Sequence, residues 1–352
     1  MVRPPVVSAV IINWNGGEMV AGCLRSLLAQ SHQPIERVVV DNGSTDGSVA
    51  RLGEQDDRLR VISNPENRGF AAAANQGIAA TSGDWILLLN QDVVLELDYV
   101  ARLLKIGQRD PTIGALTGKL LRQPSVAAGP RVVDSAGHIL YRNGWAANRG
   151  EGLPDQPEWD QAVEVFGVSA AAALYRRSMV EAVSESSARP FDERFFAYIE
   201  DVDLDWRARL LGWKAWYVPA VAWHVRGASG VRRQPSTLRR ILRNRLLLVA
   251  NNDLWPSGLA RLPGVGALAL LTALQFSRES PPAVLGIVDA LFMSGSSLRR
   301  RRFIRARGAP GQRSVEGFRQ PFPYRRVISG RLRQRLDRAA LAGGWAQTSG
   351  EP

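Results

Sequence analysis

The chain has 352 residues, 45% of them hydrophobic and 22% charged, with 33 glycines and 20 prolines. These proportions exclude collagen-like, mucin-like and wholly disordered chains, and the length suits one large α/β sheet with an appendage. The net charge of +12 is uneven: residues 1–225 carry 22 basic and 27 acidic side chains, while residues 226–352 carry 23 basic, all arginine, and 6 acidic. A mildly acidic body with a strongly basic C-terminal part places the chemistry in the body and a polyanion at the tail.

In chain order, the apolar run from Val6 to Ile12 is short and passes straight into Asn13-Trp14-Asn15, so it reads as a first strand and not as a targeting signal. Further Val/Ile/Leu runs predict strands near 36–41, 58–63, 84–89 and 113–118, alternating with helices near 18–30, 46–53, 70–80 and 97–109. That rhythm is a βαβ series with a mostly parallel central sheet flanked by helices. Cys23, the single cysteine, excludes an internal disulfide and a cysteine-based zinc site, and a reducing cytoplasm is the expected compartment.

The segment 122–162 is rich in Gly, Pro and Arg without clear periodicity and reads as a long irregular excursion over the sheet. A helix is predicted near 170–183, another from Asp201 to Leu211 ended by Gly212, and a strand from Trp213 to Val218 that stops at Pro219. Beyond His224 lie Arg-rich helical stretches near 236–250, apolar stretches near 258–293 and the cluster Arg299–Arg302. The run Leu262–Phe276 is broken by Pro263, Gly264 and Gly266 and falls short of the ~20 residues of a spanning helix, which predicts an interfacial or buried helix.

Ligands of open α/β sheets bind beyond the carboxyl ends of the strands. Here those positions are Asn13-Trp14-Asn15, Asp41-Asn42-Gly43-Ser44, Asn64-Pro65-Glu66-Asn67-Arg68 and Asn90-Gln91-Asp92. Any one of these groups could be a turn or a helix cap, whereas all four on one sheet edge point to a binding site. Asp41 is placed to accept from a pyrimidine N–H or a ribose hydroxyl, with Gly43, Ser44 and Asp46 shaping the turn, and Arg68 to pair with a phosphate. No Gly-rich dinucleotide fingerprint or P-loop succeeds the first strand, so phosphates need another neutraliser. Asp92 at a strand tip is a candidate ligand of a divalent cation that bridges a diphosphate, and His224 a candidate nitrogen ligand.

Four carboxylates, Glu200, Asp201, Asp203 and Asp205, fall in six residues at a helix start, directly after Phe195-Phe196-Ala197-Tyr198. Capping uses one or two acids, and the surplus beside an apolar wall predicts a general base.

With these motifs in order, the chain resembles the family 2 glycosyltransferases of the GT-A fold, especially the rhamnosyltransferase-like and galactofuranosyltransferase-like branch, from about Val6 to Ser229. The motifs that carry the resemblance are Val10–Asn15, Val40–Ser48, Asn64–Ala71 with Asn75, Leu88–Val93, and Phe195–Asp203 succeeded by His224. It implies an α/β nucleotide-diphospho-sugar transferase fold and an inverting transfer from a dTDP- or UDP-sugar to the hydroxyl of a saccharide or lipid-linked acceptor. Asp201 would be the general base, and Asp92 with His224 the ligands of Mg2+ or Mn2+. Donor contacts would come from Asn13, Asn15, Asp41, Ser44, Asn67, Arg68, Asn75, Asn90, Gln91 and Asp92, and acceptor contacts from Glu200, Asp203 and Trp206. Asn90 stands where the family motif has its first carboxylate, which weakens the cation site.

The expected organisation is a GT-A domain over 1–230, an Arg-rich helical appendage over 231–306 that meets an anionic membrane surface, and a basic, flexible tail over 307–352. This places the protein at the inner face of the cell membrane in envelope polysaccharide synthesis. Two alternatives differ in class. A sugar nucleotidyltransferase would need a Gly-rich basic loop after the first strand, which Asn13–Gly17 does not supply. A nucleic-acid-binding protein would use the arginine tail, yet Arg299–Arg302 has only Phe303 beside it and no spaced aromatic platform, so no specific nucleic acid is expected.

Overall fold

The computed structural model describes residues 4–50, 52, 58–123, 129–186, 188–225, 234–253, 259–307 and 312–322. Residues up to Arg319 form one compact unit, and a second unit begins at Gln320. Most of the basic tail, including 323–352, lies outside the described residues.

The first part runs β1 (Val7–Asn13), α1 (Glu18–Leu28), β2 (Ile35–Asp41), β3 (Arg60–Ser63), α2 (Phe70–Ala79), β4 (Trp85–Asn90), β5 (Val93–Leu95), α3 (Tyr99–Gly107) and β6 (Ile113–Arg122). In α1, Val20, Leu24 and Leu27 recur at helical spacing and are buried against the sheet; burying such side chains contributes about 1.5–3 kcal/mol each. The expected helix at 46–53 is absent from its described part, because Gly47 adopts φ 71° and Ser48–Ala50 form a turn. The Asp46 carboxylate holds that turn by accepting from the Ser48 and Gly17 amides.

The segment expected to be irregular holds β7 (Val133–Ser135), β8 (His138–Tyr141) and β9 (Ala146–Asn148), and β10 (Val163–Val165) comes next. Backbone hydrogen bonds from Val133 to Leu153 and from His138 to Gly167, both 2.8 Å, tie the excursion down. The expected helix at 170–183 is instead β11 (Ala172–Arg176) and then a shorter α4 (Arg177–Val183). The alanines of 170–173 favour a helix locally, but their small side chains suit the crowded sheet centre, where β11 pairs antiparallel with both β4 and β6.

After α5 (Glu200–Leu210), β12 (Lys214–His224) does not stop at Pro219. The register shifts between Tyr217 and Val221, so the proline sits at a bulge where no ladder hydrogen bond is needed.

The ten-stranded sheet has the order β10-β12-β6-β11-β4-β1-β2-β3, with β5 paired to β12 and β7 to β6. β1, β2, β3 and β4 are mutually parallel, as are β6 and β12, while β11 is the antiparallel insertion between the two groups. One core cluster packs α1 and α3 on one face, and another packs α2 and α4 on the other.

The helices α6 (Pro235–Asn252), α7 (Leu262–Glu279), α8 (Leu285–Met293), α9 (Ser297–Ala306) and α10 (Gln312–Gly317) complete the unit. Trp206 and Leu210 of α5 share a third core cluster with Leu247 and Leu248 of α6, Ala290 and Ile304.

Candidate active site

Strand register aligns the polar strand tips. Asn13 pairs with Asp41, and Ile12 with Asn90, so the tips of β1, β2 and β4 lie side by side. The Asn13 side-chain amide donates to Asp41 Oδ1 and to the hydroxyls of Ser44 and Ser48, each within 3.1 Å. Ser44 Oγ donates to the same Asp41 oxygen at 2.5 Å, and Asn15 Oδ1 accepts from the Thr45 amide. Gln91 grips the Trp14 backbone at both its amide and its carbonyl, and Asn67 Oδ1 accepts from Asn42 Nδ2 and the Gly69 amide. Trp14, Asn42, Asn67, Asn90, Gln91 and Asp92 line a cleft of about 380 Å³ that Phe196–Tyr198 and part of α6 close from the other side.

A second cleft of about 520 Å³ shares Asn90 and Asp92 with the first and also contains Asp134, His138, Asp201 and His224. Pairing of β5 with β12 sets His224 opposite Val93, which brings His224 Nε2 to 3.3 Å from Asp92 Oδ1. His224 Nδ1 lies 2.8 Å from Asp134 Oδ2, and Arg122 reaches the other Asp134 oxygen at 3.3 Å. Burial pulls the imidazole down, but the carboxylates of Asp134 and Asp92 outweigh it and raise His224 to about 9. The proton shared between His224 Nε2 and Asp92 is the one a cation would displace, because imidazole ligates a metal only in its neutral form. One carboxylate oxygen and one imidazole nitrogen, with the ring fixed from behind by Asp134, fit a divalent cation whose remaining ligands come from phosphate and water. Among the described residues no cluster of three or more His, Cys, Asp or Glu forms a closed cage.

Across the cleft, Asp201 stands in the first turn of α5. No side chain caps this helix, whose N-terminal residue Ile199 is left-handed, so the acidic surplus does not serve as a conventional cap. Asp201 and Asp205 share one partner, His138. Asp201 is 17% exposed, and its Oδ2 accepts from the Ala170 amide at 3.2 Å and lies 3.6 Å from His138 Nε2. His138 Nδ1 is 2.7 Å from Asp205 Oδ2, which also accepts from the Val168 amide. Burial, partly offset by His138, raises Asp205 to about 6; His138 itself is pulled down by burial and raised on balance by Asp201 and Asp205. Glu200 lines the cleft with its carboxyl pushed well up by burial and by the Asp201 charge, and its Oε2 has no hydrogen-bond partner.

Preceding α5, Phe196, Tyr198 and Ile199 all have positive φ, between 63° and 74°. Such backbone costs about 1–3 kcal/mol per residue and persists only where the surroundings impose it. The Asn244 side-chain amide of α6 donates to the carbonyls of Phe195, Ala197 and Tyr198 within 2.9 Å. The Phe196 carbonyl accepts from the Ala71 amide, and a Cβ on Gly69 would lie 2.6 Å from Phe196 Cγ.

Other predicted residues fall elsewhere. Asp203 is fully buried behind the helix, bonded to Arg207, Asn251 and Asn252, and Trp206 belongs to the third core cluster, which corrects the expectation that they touch the acceptor. Asn75 is buried and brackets the Phe191 backbone, so its amide is spent on structure and not on the donor. Arg68 is exposed and absent from the lining of both clefts. His138 and Asp134 carry no motif in the sequence; the available signal was scarcity, since the chain has 3 histidines and two of them meet in this cleft.

Residues 8–183 match the family model "Glycosyl transferase family 2". Asp201 and His224 lie beyond that match. The chain is 30% identical over 255 residues to the N-acetylglucosaminyl-diphospho-decaprenol L-rhamnosyltransferase of Mycobacterium tuberculosis, covering 66% of this chain and 80% of that protein. Among solved structures, residues 1–349 of S. aureus TarS superpose with a TM-score of 0.52 at 16% identity, over 88% of this chain and 90% of that one. GalNAc-T7 with UDP, GalNAc and Mn2+ superposes with a TM-score of 0.53 at 15% identity, over 69% and 48% of the two chains. The family match, the shared architecture and the polar strand tips converge: the chain belongs to glycosyl transferase family 2 and is a glycosyltransferase of the GT-A fold.

Proposed function

We propose that the protein transfers rhamnose or a similar hexose, with inversion, from a dTDP- or UDP-sugar to a hydroxyl of a saccharide on a lipid-linked acceptor in cell-envelope polysaccharide synthesis. The observation that carries this reading is the shared cleft: Asp92 with His224 on one wall and Asp201 on the other, although the chain separates them widely. The rhamnosyltransferase relative, whose name specifies a diphospho-decaprenol acceptor, supports the sugar and acceptor class.

In this reading the nucleoside lies over Trp14, with Asp41 and Ser44, held from behind by the buried Asn13, at the base or ribose. Asp201 accepts the proton of the attacking hydroxyl as its oxygen bonds to the anomeric carbon, and the bond from that carbon to the diphosphate breaks, leaving the electron pair on phosphate. Asp92 and His224 are placed to hold Mg2+ or Mn2+, which when bound would stabilise the charge on the departing diphosphate. His138, backed by Asp205, keeps a cation near Asp201 and orients its carboxylate toward the acceptor. Association with the anionic inner face of the membrane, through the arginine-rich helices, would deliver the acceptor.

Asp201→Asn tests the base. The isosteric amide still accepts from the Ala170 amide, so nucleotide affinity should be unchanged while turnover falls by about 10²–10⁴. Full turnover in this variant, measured with dTDP-rhamnose or a UDP-hexose, would remove Asp201 from the chemistry.

A further inference from the structure

The cleft beneath the strand tips presents amides, aromatic rings and one carboxylate, Asp92. A nucleoside diphosphate carries its own negative charge into this space, and Arg68, expected from the sequence to meet it, is exposed and does not line it. Asn90 adds a side chain without charge where the family motif has a carboxylate, which weakens the cation site. Of the described residues that line this cleft, the one cation is Arg240 on α6.

Its neighbours on α6 are engaged. Arg239 makes two 2.6 Å bonds to Asp289, Arg243 donates to the Arg194 and Phe195 carbonyls, and Arg245 lies over the Trp145 ring. Arg240 has no ion pair or hydrogen bond among the described residues. Its guanidinium carbon lies 4.1 Å from the centroid of the Phe196 ring. Stacking on a ring face leaves the in-plane N–H edges of the guanidinium free to donate, the geometry that meets phosphoryl oxygens two at a time. Burial pulls Arg240 below its ordinary value, with only partial relief from Tyr198, so an anion arriving beside it recovers a desolvation cost already incurred.

The position is imposed from one turn away. Arg240 and Asn244 lie four residues apart on one helical face, and the three Asn244 bonds lock that face onto the loop 195–198. The same contact that holds the loop sets Arg240 over Phe196.

We propose that Arg240 is a diphosphate-binding residue of the cleft, lent by a helix outside the stretch matched by the family model to neutralise the charge that Asn90 leaves to be met. The assignment rests on the nucleotide-sugar reading above. A nucleoside diphosphate donor and a prenyl diphosphate acceptor share the recognised chemistry.

The test titrates the full chain, in Mg2+, with UDP, dTDP, their nucleosides and farnesyl diphosphate, comparing wild type with Arg240→Gln and Arg240→Lys. Gln should weaken diphosphate binding about 10- to 100-fold, Lys should recover part of it, and nucleoside binding, read by NMR on the same samples, should not change. That unchanged nucleoside affinity also shows that the variant is folded. Loss confined to UDP or dTDP places Arg240 on the donor, and loss confined to farnesyl diphosphate places it on the acceptor; either supports the assignment. Wild-type affinity of Arg240→Gln for all the diphosphates would overturn it. Failure of the wild type to bind any nucleoside diphosphate would overturn the nucleotide-sugar reading, and this assignment with it.

Discussion

At the scale of single residues, His138 is the group on which the start of α5 depends most directly. Asp201 and Asp205 are four apart on α5, so their carboxylates share one helical face, and the imidazole lies between them at 3.6 and 2.7 Å. On balance these two carboxylates raise His138 above the ordinary histidine value of 6.5. A cation whose folded value is raised contributes stability that is complete below 6.5 and is lost as pH rises through the folded value. Asp205 acts with the same sign in a lower window: raised to about 6, it withdraws stability as pH climbs from 3.8 to about 6 and changes little beyond. The two windows separate. Above pH 6.5 the wild type should therefore lose stability more steeply than His138→Asn, whose amide replaces the imidazole as the donor to Asp205 and keeps that carboxyl in its lower window, as measured by urea unfolding at a series of pH values. His224, raised to about 9, titrates in both proteins and cancels in the comparison. Parallel pH profiles would show that the His138 charge does not support the fold.

At the scale of elements, the strand tips were legible because continuous Val/Ile/Leu runs ended abruptly in carboxamides, as at Ile12-Asn13 and Leu89-Asn90, and a parallel register lines up the polar residues at the end of each run. The proposed base was legible because four acids exceed the number a helix start can use. By contrast, β11 was hidden by its alanines, whose local preference for helix yields to a slot between β4 and β6 that only pairing across the chain creates. The contact of His224 with Asp92 was likewise invisible as geometry, since it depends on β5 meeting β12. Nor could the excursion 122–162 be read as a wall of the cleft, because strands of three or four residues carry too little periodicity to announce themselves. The role of α6 was masked by composition: a run of arginines reads as a surface feature, while here Asn244 among them holds the strained loop before α5. Asn244→Ala strands the Ala197 and Tyr198 carbonyls, while Arg243 still holds that of Phe195, and should cost about 1–3 kcal/mol in urea unfolding, with kcat falling more than donor affinity because the loop leads directly into Asp201. Unchanged stability and kcat would mean that the loop holds its shape without the clamp.

At the scale of the whole molecule, the two kinds of surface on the C-terminal helices have to be explained together. Leu270, Leu271 and Leu274 of α7, Leu285, Leu291 and Phe292 of α8, and Leu298 of α9 are all exposed, with Leu291 and Phe292 at 70% and 84%. Scattered apolar residues on a surface are ordinary, but this many on consecutive helices are not. Within the segment Pro281–Ala306 an 18-residue window has a mean hydropathy of 1.3 and is only 22% buried; length and composition would let it cross a membrane, and its division into short helical pieces suits lying along one. Exposed arginines occupy its C-terminal end, Arg299 with 81% of its side chain open to solvent. Apolar side chains entering the acyl boundary and arginines meeting anionic headgroups, each basic residue contributing about 1 kcal/mol, would together give the proposed peripheral attachment, which neither supplies alone. The full chain should float with phosphatidylglycerol-containing vesicles, less with purely zwitterionic ones, and less again as salt rises and screens the arginines. Replacing Leu291 and Phe292 together by glutamate should abolish flotation at every lipid composition while sparing turnover on a short, water-soluble acceptor, because neither residue lines the cleft that holds Asp92 and Asp201. Flotation that persists in the double variant would move the attachment away from α8, and indifference to lipid charge would leave the arginines of this surface without a lipid partner.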